Sequence, residues 1–267
     1  MVELLREVQK TNMNHFKYFL FLLIFLSFVS CVKNEIEDPL LDHSREYFPL
    51  IQGKYITYAV DSIVFDDVQG GNKKDTVSFE LKEEIADYQL IKGDTVYYIH
   101  RSRRDESASA WRLTDVWTAR YTLNEALRTE ENLTFRKMVF PLKDGRRWIV
   151  TSYINPLTEV LIGTENVQAY QEWQAEVVRI DIADQVGAFS FGDGTVMHIT
   201  QTETDDDIIK RCVMEKYVRN IGLVQRTDTI LDSRCIILGD FTPCLGKPWL
   251  EHAGKGYILY QEMIDHN

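Results

Sequence analysis

Asp115 is the residue of this sequence best placed to do chemistry. It interrupts the apolar face of an alternating stretch, Trp111, Leu113, Asp115, Trp117, Ala119, Tyr121, whose other face reads Arg112, Thr114, Val116, Thr118, Arg120, Thr122. A buried carboxylate must be paired or neutralised, and perturbed carboxyl groups gather at functional sites. If the chain turns near Asp105-Glu106-Ser107, Tyr97 falls across from Asp115, with His100 nearby on the opposite parity. A carboxylate beside a phenol can act as general acid and hydrogen-bond partner. The alternative is a structural Asp–Tyr or Asp–Arg pair, since buried polar groups are ordinarily just satisfied.

Other candidates are weaker. The histidines, His15, His43, His100, His198, His252 and His266, fall in no zinc-ligand spacing. No G-x-S-x-G elbow, Walker loop or dinucleotide fingerprint is present, so no metal or cofactor is expected and the reading leans away from an enzyme. Glu203 with Asp205-Asp206-Asp207 offers hard oxygens but lacks the EF-hand spacing, and reads as a solvated hairpin tip. Among the tryptophans, Trp111 and Trp117 belong to a core face. Trp249, in a loop bearing Gly and Pro, is the one expected to be exposed, as a binding candidate for a sugar ring. Cys235 and Cys244 flank Gly239-Asp240 and Pro243, and a disulfide between them would close that loop. Cys212–Cys235 and Cys212–Cys244 are the alternative pairings.

The elements that must position these residues are strands. From Lys54 onward apolar residues recur with period two: Ile56, Tyr58 and Val60, then Val77, Phe79, Leu81 and Ile85, then Val96 and Tyr98. Such alternation marks half-buried strands, with one solvated face. Turn signals separate them at 69–72, 92–94, 143–145, 192–194 and 205–207. The clearest strand runs from Ser109 to Thr122. Further strands are expected at Arg147–Ile154, Trp173–Asp184, Thr195–Thr202, Arg211–Arg219, Leu223–Ile230 and Gly256–Asp265. Only Leu123–Glu131 and Thr164–Glu172 could be short helices. About ten strands with little helix predict a mainly β fold: a large antiparallel sheet, an open barrel or a β-sandwich. One β-rich domain is expected over 46–267. The stretch Tyr47-Phe48-Pro49-Leu50-Ile51-Gln52-Gly53 is echoed by Val139-Phe140-Pro141-Leu142-Lys143-Asp144-Gly145. That echo reads either as two similar Pro/Gly turns or as two related halves, about 46–135 and 136–267.

The N-terminus carries an address. The apolar run from Tyr18 to Ser30 follows Lys17 and is shorter than the about 20 residues a bilayer span needs. It has the layout of an export signal, 1–30, ending before Cys31. Glu3 and Glu7 are unusual in such a signal, so Met13 reads as the better start. Cys31 resembles the lipobox cysteine of bacterial lipoproteins, with Ser30 fitting and Phe28 departing from the usual pattern. Lipidation there, with palmitate among the acyl chains, would anchor the protein firmly, and 31–45 would be a tether. Val32, where an inner-membrane retention signal has Asp, implies the outer membrane. The run Lys33-Asn34-Glu35-Ile36-Glu37-Asp38 is similar to the surface-export signal of Bacteroidota lipoproteins. Removing Arg6, Lys10, Lys17, Glu3 and Glu7 from the 30 basic and 41 acidic residues leaves a net charge of −12, which excludes nucleic acid as a favoured partner.

Tyr47-Phe48-Pro49-Leu50 with Gly53, the stretch from Glu131 to Gly145 with Trp148, and Tyr217 followed by Ile221-Gly222-Leu223-Val224 together resemble an uncharacterised group of Bacteroidota lipoproteins. The resemblance covers most of the mature chain and departs after Trp148, where Ile149-Val150-Thr151 stands in place of Asn-Gly-Asn. It implies location and fold but no mechanism. The expectation is a lipid-anchored envelope protein that acts by binding or assembly, with a glycan or an envelope protein as its partner. The alternatives are a hydrolase using Asp115 with Tyr97 and a purely structural envelope component.

Overall fold

The computed structural model describes residues 43–66, 73–105, 108 and 110–267. The expected signal, Cys31 and most of the tether lie outside them. Strand makes up 66% and helix 6%, as period-two patterning requires, because side chains alternate between the faces of a strand. After a 3₁₀ turn at His43–Tyr47 come β1 (Tyr55–Asp66), β2 (Lys73–Ile91), β3 (Asp94–Asp105), β4 (Arg112–Tyr121), β5 (Glu125–Glu130) and β6 (Leu133–Val139). Each is antiparallel to the next. A second run follows: β7 (Arg147–Ile149), then, after a small hairpin of β8 (Val160–Ile162) and β9 (Glu165–Val167), the strands β10 (Gln174–Val186), β11 (Phe189–Asp205), β12 (Ile209–Val218), β13 (Gly222–Ser233) and β14 (Ala253–His266). Two helical turns, α1 (Arg234–Leu238) and α2 (Trp249–His252), lie between β13 and β14.

The sheet order is β6-β5-β4-β3-β2-β1-β14-β13-β12-β11-β10-β7. Two six-stranded meanders are thus joined along β1 and β14, and the sheet curls into a nearly closed antiparallel barrel. The free ends, β6 and β7, meet through a hydrogen bond from Arg136 N to Val150 O, 2.9 Å. The interior is filled by a large apolar cluster that includes Tyr47, Phe135, Met138, Trp173, Val177 and Tyr217, and by a second around Tyr58, Val60, Val196 and Met263.

The two Phe-Pro-Leu turns dock alike. Gly53 N donates to Ile85 O at 2.8 Å and Ile85 N to Lys54 O at 2.9 Å; Gly145 N donates to Val177 O at 2.8 Å and Val177 N to Arg146 O at 2.9 Å. Both glycines have positive φ, 83° and 72°, a conformation other residues adopt only with strain. The first turn region also reaches across to the other meander, where Asn220 N, between β12 and β13, donates to Glu46 O at 2.7 Å; at the second, Phe140 N extends the β5–β6 ladder by donating to Asn124 O at 2.8 Å.

Four sequence expectations need correction. Arg147–Ile154 is strand only over β7, Arg147–Ile149, and turns from Val150 to Ile154. Leu123–Glu131 is not a helix: it forms β5, which ends in a two-residue turn where Glu131 and Asn132 both have positive φ, 47° and 65°, the geometry of a tight β-hairpin. Thr164–Glu172 is β9 followed by irregular chain. Gly192-Asp193-Gly194 does not end a strand but lies within β11, where the pairing with β10 slips between Ile182 and Asp184, an irregularity that glycine tolerates.

Candidate functional site

The longer β3–β4 connection rearranges the residues first singled out. Asp115 stands opposite Arg101, and Tyr97 stands opposite Ala119. Asp115 Oδ2 is 3.7 Å from Arg101 Nη1 with its side chain 33% exposed, so it is a rim carboxylate with an arginine partner. Tyr97 packs on Tyr88 instead, with ring centroids 5.8 Å apart, and His100 faces Val116. The expected Asp115–Tyr97 pair therefore does not form. Trp249 is half-buried rather than an open platform: its Nε1 donates to Asp205 Oδ1 at 2.8 Å, and its ring lies against His252. Asp206 caps its own turn by accepting from the Ile208 and Ile209 amides, and no metal-binding cluster occurs among the described residues. Cys235 and Cys244 are joined in a disulfide, and Cys212 is free.

The chemistry-bearing residues of the barrel are elsewhere, in its interior. Glu83 on β2 pairs with Arg101 at 3.0 Å and Arg128 at 2.7 Å. On β12, Glu215 accepts from Lys137 Nζ at 2.7 Å, from Tyr217 at 2.5 Å and from Gln201. Arg226 on β13 donates to Asp228 at 2.8 Å, and Tyr257 on β14 donates to Asp228 at 3.1 Å. Lys137 and Glu215 tie β6 to β12 across the barrel, as Glu130 and Arg226, 3.7 Å apart, tie β5 to β13. Four cations and four carboxylates balance. Such charges persist inside a fold only when paired. Trp117 is packed against two of the guanidinium groups, with Arg101 3.6 Å and Arg128 4.5 Å from its ring centroid.

The electrostatics follow from this crowding. Burial pushes the Glu130 carboxyl up, but Arg128, Arg226 and Lys137 outweigh it and hold the group at about 2. The same opposition of burial and neighbouring cations leaves Glu83 and Glu215 below the ordinary carboxylate range. Burial drives the Tyr58, Tyr217 and Tyr257 phenols well above theirs.

Beside this network opens a cavity of about 490 Å³. Its polar wall includes Arg101, Glu130, Glu131, Arg226, Asp228 and Gln261; its apolar wall includes Leu133, Phe135, Ile162 and Leu259. The β8–β9 hairpin covers one side, held by Thr164, whose N and Oγ1 donate to Asp66 Oδ2 at 2.9 and 2.7 Å, and by Lys255 Nζ on Asn166 O at 2.7 Å. Sequence reading missed these residues. The available signal was a repeated tripeptide, Arg128-Thr129-Glu130 and Arg226-Thr227-Asp228, at corresponding strands of the two meanders, which sets an arginine and an acid on the same inward parity each time.

No family model matches the chain, and no curated protein matches it. Among solved structures, a protein of Bacteroides fragilis described as exported, with a YmcC-like fold, is 12% identical over 82% of this chain and 98% of its own, with a TM-score of 0.39. A protein of Parabacteroides distasonis described as a lipoprotein is 11% identical over 83% of this chain and 98% of its own, with a TM-score of 0.38. Likeness at that level carries no conclusion about the fold or role of this chain.

Proposed function

We propose that the protein is a non-catalytic binding module of the cell envelope, anchored to the outer membrane by lipid at Cys31, that holds a ligand inside its barrel. The carrying observation is the cavity of about 490 Å³, within the size range of small-molecule sites and with their usual make-up of apolar walls and a few convergent polar groups. The anchor rests on the sequence: the short apolar run, Cys31, and the charged tether that follows. In this reading residues 46–267 are one β-rich domain made of two related halves.

Two measurements test it. Cys31→Ser should move the protein from the detergent phase to the aqueous phase in detergent partitioning; unchanged partitioning would remove the anchor. A thermal-shift screen of the full chain against glycans, lipids and metal ions should give a rise with one ligand class, since binding to the native state raises stability. A silent screen would turn the reading towards a purely structural component.

A further inference from the structure

We infer that the barrel cavity selects an uncharged ligand that carries hydroxyl or amide hydrogen-bonding groups on one side and an apolar face on the other, held by Glu130 and Gln261. The inference rests on the reading of the cavity as a binding pocket and adds the chemistry of its occupant.

Three polar groups converge on the cavity wall, Glu130, Gln261 and Tyr170. Glu130 is only 9% exposed, and its Oε1 has no hydrogen-bond partner. Its contacts with Arg128 at 3.3 Å and Arg226 at 3.7 Å are ion pairs without hydrogen-bond alignment. Gln261, 5% exposed, stands directly across from Arg226, and its side-chain amide makes no hydrogen bond among the described residues. The half-buried Tyr170 lines the same wall. Of these groups Glu130 Oε1 is the one sealed from solvent without a partner, and buried polar groups are almost always satisfied. Together they present a carboxylate that can only accept, an amide that donates and accepts, and a phenol that does either.

The charge balance narrows the choice. Every cation at the wall is already paired, Arg101 with Glu83 and Arg226 with Asp228. An anionic ligand would meet no free cation, and a cationic one would have to compete with Arg128 and Arg226 for Glu130, or settle on Glu131, an exposed wall carboxylate that takes a hydrogen bond from Trp117 Nε1 at 3.1 Å and stands outside the buried network. Burying an unpaired charge costs more than burying a hydrogen-bonded neutral group. Opposite the polar groups, Leu133, Phe135, Ile162 and Leu259 offer a surface that only an apolar face can cover.

Three probes of similar apolar group and different head test this: phenyl β-glucoside, benzoate and benzylammonium, titrated into the full chain held in lipid nanodiscs, with empty nanodiscs as control. Phenyl glucoside is expected to bind saturably, and the two ions about tenfold more weakly or not at all. Gln261→Leu, which removes no protein hydrogen bond, should keep the melting temperature and weaken phenyl glucoside by about tenfold, the value of one lost hydrogen bond. Leu259→Trp should fill the cavity and abolish binding. Equal binding of all three probes, or glucoside binding indifferent to Gln261→Leu, would overturn the ligand class and leave the pocket standing. Failure of all three probes would overturn the class, and only if joined by a silent thermal-shift screen would it overturn the pocket as well.

Discussion

Glu215 concentrates the energetic risk of this interior. Its side chain is fully buried and takes hydrogen bonds from Lys137 and Tyr217. Glu215→Leu strands the Lys137 ammonium in the core, which costs about 3–5 kcal/mol, whereas Lys137→Met with Glu215→Leu removes both charges and should recover most of that loss. Urea unfolding of the two single variants and the double decides the matter, and additive losses would contradict the pairing. The pH profile follows from the same contacts. With Glu130 held at about 2 and Glu83 and Glu215 lowered, their contribution is complete above about pH 4.5 and is lost as the pH falls towards 2. The buried tyrosines are shifted upward, so theirs is complete below about pH 10 and is lost above it. Melting temperature should therefore hold level between about pH 5 and 9 and drop on the acid side; a level profile down to pH 2.5 would contradict an ion-paired interior. Little of this was legible beforehand. Asp115 breaks an apolar alternation in the sequence, yet Leu113, two residues before it, is 52% exposed, so that end of β4 lies at the rim, where both faces meet water.

The strands themselves were readable because alternation is a direct consequence of backbone geometry, but their pairings depend on turns. A turn at 105–107 would set Tyr97 against Asp115; the actual β3–β4 connection sets Arg101 there, a slip of four residues that keeps the faces from Asp115 to Arg120, and a bulge between Arg101 and Ser102 then shifts the pairing by one. Parity survives such a slip and neighbours do not, which is why Trp117 and Ala119 face inward as expected while the proposed pair does not form. The fate of β5 has the same origin: Glu131 and Asn132 close a turn whose left-handed φ values Asn favours, and the six residues before it are too few to display a clear period. The loop between β13 and β14 is fixed differently. Ser233 caps α1 by accepting from Cys235 N at 3.2 Å, and the Cys235–Cys244 disulfide closes a segment in which Ile236, Leu238 and Phe241 are exposed. Replacing both cysteines with alanine should lower stability by about 2.5–3 kcal/mol by the loop-entropy relation. Urea denaturation measures this, and an unchanged midpoint would mean that the capped helix and Trp249 hold the loop unaided.

The whole molecule is two meanders with two unlike seams. Along β1 and β14 the register runs unbroken from Tyr58–Met263 to Phe65–Gly256, so that seam is an ordinary interior pairing. Where β6 meets β7 the sheet does not close: backbone contact reduces to Arg136 N on Val150 O, aided by Trp148 Nε1 donating to Arg136 O at 2.9 Å. The cavity borders the second seam, since Leu133 and Phe135 of β6 form part of its wall. A ligand that enters the barrel has its cheapest route where the fewest hydrogen bonds must break, and local opening follows that same count. Hydrogen exchange read by mass spectrometry should show peptides over 133–139 and 147–150 exchanging before those over 56–65 and 256–265, by about tenfold or more. A bound ligand should slow the first pair and leave the second unchanged, because binding stabilises the segments it bridges. Equal protection along both seams would mean that the barrel is closed in solution and that entry runs beneath the β8–β9 hairpin. In that case Thr164→Val, which releases the hairpin from a hydrogen bond to Asp66, would speed binding, whereas entry through the β6–β7 seam predicts no change in rate.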